Sequence, residues 1–172
     1  MIDQLYEELN LRHLVDWGVI VQGVAGVPGI PERLALSRVA DFANCELERI
    51  SINDPLLSVI VDLATNSEIT TVELREALET ICSEKKVDLN KSARKWRAIS
   101  LNGVLADLDS DSLYGLIKIS EFWSCWGWPK DMPTCMSADN EMSSQDYHSE
   151  ANYERVIANH LDWITNEFAS IN

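Results

Sequence analysis

The sequence predicts an all-α protein: a single-domain bundle of about seven helices over residues 1–172, with at most a minor strand pair. Three observations carry this. Apolar residues recur three and four positions apart through most of the chain, which lays them on one face of a helix. Cap residues and prolines fall between these stripes, where helices begin. Hydrophobic residues make up 46% of the 172, a globular composition with enough material for a core.

The elements follow in order. Leu5 to Trp17 predicts a helix that stops at Gly18. Residues 19–31, VIVQGVAGVPGIP, lie in the stretch that holds four of the seven glycines. They predict a loop or a short extended piece, with Val19, Ile20 and Val21 as a small strand that has no obvious partner. Pro31 suits the first turn of the next helix, whose stripe is Leu36, Val39, Ala40, Ala43 and Leu47. Asn53 or Asp54 caps the segment PLLSVIVDLA, residues 55–64, which is apolar nearly all round and belongs in the middle of the fold. Thr70-Thr-Val-Glu73 is a capping box ahead of Leu74, Ala77, Leu78 and Ile81.

Asn90 opens a helix with Trp96, Ile99, Leu101, Val104, Leu105 and Leu108. Asp109-Ser-Asp-Ser112 breaks it and caps the next. That helix sets Leu113, Leu116 and Ile117 on one face, and Ile119, Phe122, Trp123 and Trp126 on another, so it should pack on two sides. Residues 127–149 are polar and read as a surface loop. The last helix carries Tyr153, Val156, Ile157, His160, Leu161, Ile164 and Phe168 in one stripe.

The segment WSCWGWPKDMPTC, residues 123–135, packs three of the six tryptophans into six positions. Gly127 lets the chain leave its helix and Pro129 prevents the helix from resuming. Trp123, Trp126 and Trp128 then fold back as a hydrophobic plug, with Trp96, Phe122, Trp123 and Trp126 buried. A metal reading would use Cys125, Cys135 and His148, but the spacing lacks a ligand set. Cys45, Cys82, Cys125 and Cys135 read as small buried hydrophobes in a reducing compartment. His160 reads as a core-edge histidine held by one hydrogen bond. We find no phosphate-binding loop or paired metal-ligand motif in the sequence, so no catalytic, cofactor-binding or metal residues are expected and the chain is not expected to be an enzyme.

Net charge is −14. Such a chain repels nucleic acid and anionic membranes, and attracts a basic protein. The N-terminus has no basic start followed by an apolar core, and no apolar run is long enough to span a bilayer. A cytoplasmic protein is expected. The charge is uneven: residues 84–97 hold six basic and two acidic side chains, and residues 105–172 hold twelve acidic and three basic. The basic island reads as the solvent face of one helix, neutralised by acidic neighbours.

Residues 95–133, KWRAISLNGVLADLDSDSLYGLIKISEFWSCWGWPKDMP, carry a resemblance. Lys95-Trp96-Arg97, Leu101, Phe122-Trp123, Trp128-Pro129 and Met132-Pro133 are similar to the pattern of a bacterial family of small helical proteins catalogued as a domain of unknown function. The chain departs from that pattern after Met132, at Cys135 and Met136. Members of the family resemble immunity proteins of contact-dependent growth inhibition and other polymorphic toxin systems. The resemblance implies a cytoplasmic protein that binds and neutralises a toxin's C-terminal domain, commonly a basic nuclease. It carries over no catalytic residue and does not locate the interface.

Acidic residues at a helix junction and in the polar loop are the first candidates for toxin contact: Asp107, Asp109, Asp111, Asp139, Glu141 and Asp146. Capping and solvation are the plainer roles for each. Two other readings compete. One is a helical adaptor or scaffold. The other is an enzyme whose site assembles from distant residues, with Asp107, Asp109, Asp111 and His148 around a hard metal, although Asp109-Ser-Asp111 lacks the glycine and distal Glu of a calcium loop. Oligomeric state is left open by the sequence.

Overall fold

The structure, a computed structural model, describes residues 1–133 and 143–171. Its described residues are helical, with no strand among them. The helices are α1 (Ile2–Leu11), α2 (Trp17–Ala25), α3 (Leu36–Leu47), α4 (Leu57–Thr65), α5 (Thr71–Glu84), α6 (Leu89–Ala106), α7 (Ser112–Cys125), the single turn α8 (Ser144–Tyr147) and α9 (Glu150–Ile171). The chain divides into two compact units, Met1–Ala93 and Arg94–Asn172.

In the N-terminal unit the first expectation needs correcting. Leu5 to Trp17 is not one helix, and Val19–Val21 is not a strand. α1 ends at Leu11 because His13 takes φ 57°. The amides of His13 and Leu14 then return to the carbonyls of Asn10 and Leu9, both at 2.9 Å, which closes the helix end. Asp16 starts α2 by accepting from the Val19 amide at 2.8 Å. Gly18 and Gly23 lie inside α2 rather than marking a loop. At Gly18 a Cβ would collide with Ser92 Oγ and crowd Val87, so glycine is there for close approach.

α3 starts at Leu36, later than Pro31 suggested. It buries Val39 and Ala43 and leaves Leu36 exposed. α4 is not central: Ile60 and Leu63 are buried while Ser58, Val61 and Asp62 face water. Asp54 does prepare this helix, its carboxylate accepting from the Leu56 amide at 2.8 Å. The capping box of α5 is present in both directions, between Thr70 and Glu73. Leu74, Leu78 and Ile81 are buried below it. α5 closes as α1 does, with Lys86 at φ 51° and the Val87 amide returning to the Cys82 carbonyl at 2.9 Å.

In the C-terminal unit α7 and α9 enclose a core of Leu101, Leu116, Ile119, Phe122, Trp123, Tyr153, Val156 and Ile164. Trp123 is fully buried and meets Phe122 and Trp163 edge-on, at 5.0 and 5.4 Å. α7 ends in a left-handed cap: Gly127 has φ 69°, and the amides of Gly127 and Trp128 bond to the carbonyls of Ser124 and Trp123, both at 3.0 Å. The plug is therefore Trp123 with Trp126 half-buried beside it. Trp128, at φ 53° and 49% exposed, does not fold back. Nor does α7 pack on two sides, because Leu113 and Ile117 stay exposed while Leu116 is buried. Among the described thiols Cys82 is buried, and Cys45 and Cys125 are exposed; Cys135 lies outside the described residues.

Candidate functional site: an acidic end of the C-terminal unit

The junction between α6 and α7 is built from short-range hydrogen bonds. Asp109 accepts from the Asp111 amide at 2.8 Å, and Asp111 accepts from the amides of Leu113 and Tyr114 at 2.9 and 3.3 Å. Asp111 is thus the N-cap of α7, where its charge also faces the positive end of the helix. Asp107 takes Lys118: the ammonium donates to its carboxylate at 2.8 Å and also to its carbonyl oxygen. The Lys118 hydrogen bond holds the Asp107 carboxyl below its ordinary range, with the lysine charge adding to it.

This junction is fixed against the start of α9. Tyr153 donates its hydroxyl to the Asp109 carbonyl at 2.7 Å, and Ser112 donates to the His148 carbonyl at 2.7 Å. Gly115 makes the approach feasible, since a Cβ there would overlap the Tyr153 ring. Burial, reinforced by Asp109, raises the Tyr153 phenol's pKa, so it stays a donor. Asp146 sits on the same end, in a turn where Ser143 donates to its carboxylate at 2.6 Å and its amide donates back to Ser143 Oγ at 3.1 Å.

So the structure brings Asp109, Asp111 and Asp146 to one end of the unit, with Asp107 close by on the flank of α7. Asp139 and Glu141 lie outside the described residues. Glu150 and Glu154 add exposed carboxylates at the start of α9. Beside the carboxylates, α7 shows water an apolar face of Leu113, Tyr114 and Ile117, with Tyr114 63% exposed.

Sequence reasoning missed the polar interior of this unit. The island at 84–97 is only in part a solvent face: Lys85 and Lys86 are exposed, but Lys95 and Arg97 are buried. Its neutralisation by acidic partners is real. Arg97 pairs with Asp131 and lies 5.1 Å over the Trp163 ring, while Trp163 donates to the Asp131 carbonyl at 2.7 Å. Arg94 grips the buried Glu167 with two nitrogens, at 2.8 and 3.2 Å. One signal could have found them: a helix apolar on every side of Trp96 to Leu101 must bury its charges, and buried charges need partners.

His160 is deeper than its stripe suggested. Trp123 donates its indole N–H to His160 Nε2 at 2.9 Å, so the ring proton sits on Nδ1, 2.7 Å from the Val156 carbonyl. Burial holds this imidazole below its ordinary pKa, against the opposing pull of Val156. It is a neutral structural histidine rather than a base facing solvent.

Among the described residues no group of three or more His, Cys, Asp or Glu side chains is placed to hold a metal ion. In the N-terminal unit a cavity of about 230 Å³ lies between α3, α4 and the start of α5, bordered by Leu36, Val39, Ala40, Leu63 and Leu74. It is smaller than ordinary ligand pockets and has no charged side chain in its wall. No helix among the described residues is long and apolar enough to cross a membrane.

The family model for an uncharacterized protein conserved in bacteria, DUF2247, matches residues 6–168. The chain belongs to that family. The match takes in the whole of the acidic end and the Arg97–Asp131–Trp163 cluster. No curated protein and no solved structure matches the chain.

Proposed function

We propose that the chain is a cytoplasmic immunity protein that binds and neutralises the basic C-terminal toxin domain of a contact-dependent inhibition system. The observation that carries the reading is the acidic end of the C-terminal unit. Asp109, Asp111 and Asp146 are held in fixed orientations by their own backbone and by serine hydroxyls. A preorganised set of carboxylates steers a basic partner and loses little freedom when it docks. The resemblance of residues 95–133 to a bacterial family whose members resemble immunity proteins, which are encoded beside toxins, supports the same reading, and so does the net charge of −14.

The test is protection of cells that express the adjacent toxin. Charges at Asp107, Asp109, Asp111 and Asp146 would be neutralised together by asparagine, which keeps the cap at Asp111. Association with the toxin domain should slow, and the wild-type rate should fall steeply as salt rises. Full protection and unchanged association by the folded variant would remove this end from the mechanism. Failure of the wild-type chain to protect against the adjacent toxin would sink the immunity reading.

A further inference from the structure

We infer that the outward face of α7, formed by Leu113, Tyr114 and Ile117, is the affinity-carrying centre of the partner surface, with the carboxylates as its rim. The inference rests on the immunity reading and names the chemistry of the partner: a basic protein face with an apolar or aromatic knob at its middle.

The three side chains sit at positions i, i+1 and i+4 of one helix, so they form a continuous strip. All three are exposed, at 42, 63 and 43%, although α7 buries its other face in the core through Leu116, Ile119 and Trp123. None of the three belongs to that core or to the residues packed against it. Charge says what covers it. Asp109 and Asp111 lie at its N-terminal end, Glu121 is exposed one turn beyond Ile117, and Asp107 flanks it. The one cation that α7 itself carries, Lys118, is already occupied by Asp107. An apolar centre inside an acidic rim complements an apolar knob inside a ring of lysines and arginines. Tyrosine is among the side chains that most often carry binding energy at such centres, because it covers much area at little entropic cost. The division of labour follows: rim charges set how fast the partner arrives, and the strip sets how long it stays.

The experiment measures association and dissociation rates between the purified chain and the toxin domain encoded beside its gene. Leu113→Ala/Tyr114→Ala/Ile117→Ala should raise the dissociation rate at least about thirty-fold and leave the association rate within about threefold. Tyr114→Ala alone, at the most exposed position, should give a large part of that rise without loss of helicity, should the triple variant fail to fold. The rim variant Asp109→Asn/Asp111→Asn should do the reverse, slowing association and sparing dissociation. Wild-type dissociation in a folded strip variant would overturn the inference and leave the proposed function standing. Absence of any complex with the wild-type chain would overturn both. Light scattering of the free chain closes the remaining route: a homodimer that Tyr114→Lys dissolves would show the strip occupied by a second copy, and would also overturn the inference.

Discussion

In the N-terminal unit the interior is mainly aliphatic, with Tyr6, Trp17 and the hydroxyl of Ser92 buried among the aliphatic side chains, and the ion pairs lie outside it. Leu9, Val19, Ile20, Ile60 and Ile81 are buried, while Arg38 meets Glu7 at 2.6 Å and Arg75 meets Glu79 at 3.1 Å on the surface. In the C-terminal unit His160, Glu167, Asn152, Lys95 and Arg97 are all inside. Aliphatic packing tolerates small rearrangements, because one methyl group can replace another. A buried network does not, since each lost partner leaves a polar group without water or a bond. The C-terminal unit should therefore be the more sharply specified of the two. A rigid unit is also the better platform for a preorganised binding end.

The largest effect should come from Trp123→Ala. It empties a fully buried site and leaves His160 Nε2 without its donor. The expected loss is about 3–5 kcal/mol, read from chemical unfolding. A variant that melts like wild type would mean that the polar core adds nothing to the unit's stability, and the contrast would collapse.

Next come the two glycines that allow close contact, one in each unit. Gly115→Ala pushes a methyl group into a Tyr153 ring whose hydroxyl is tied to Asp109; Gly18→Ala pushes one against Ser92, which is tied to Asp16. Each should cost about 1–3 kcal/mol from overpacking. If the C-terminal unit is the stiffer, Gly115→Ala should cost more. A larger loss at Gly18 would reverse the comparison.

These positions also show what the sequence made legible. Helix character, the Thr70 capping box, the Asp111 cap and the burial of Trp96, Phe122 and Trp123 follow from local spacing, and the structure has them. The ends of α1 and α5 do not follow, because His13 and Lys86 adopt left-handed angles that sequence reading reserves for glycine. Gly18 and Gly23 deceived in the opposite sense, since their lack of a side chain is used for packing inside a helix. The Arg97–Asp131 and Arg94–Glu167 pairs span 34 and 73 residues, and no local pattern links partners so far apart. Of the six candidate carboxylates, the cap role of Asp111 was readable, whereas its place at the same end as Asp146 depends on tertiary contacts of Ser112 and Tyr153.

A smaller effect should appear with pH. Burial sets the His160 imidazole below its ordinary pKa of 6.5. Between those two values the unfolded chain binds more protons than the folded one, so stability rises with pH there. The contribution is complete above about 6.5, is lost as pH falls toward the folded value, and is flat below it. Urea midpoints measured from pH 7.5 downward should show this slope in wild type and lose it in His160→Gln. An equal slope in both would place the titration elsewhere and leave the buried imidazole without energetic weight.

The smallest effects should come from the caps, and they connect stability to binding. Thr70 caps α5 in the N-terminal unit and Asp111 caps α7 in the C-terminal one. Thr70→Ala and Asp111→Ala should each cost about 1 kcal/mol, because each leaves an amide at a helix start without its acceptor. Asp111→Asn should cost far less, since an amide oxygen can accept from the amides of Leu113 and Tyr114 as the carboxylate does. Only the favourable term between a negative charge and the helix N-terminus is lost, typically 0.3–1 kcal/mol and screened by salt. The pair of variants at one position therefore separates two roles. Asp111→Ala changes fold stability and charge together, while Asp111→Asn changes charge nearly alone. If association with the proposed toxin partner slows equally in both, charge is the cause. If it slows only in Asp111→Ala, the cap mattered because it holds the end of α7 in place, and the carboxylates steer nothing.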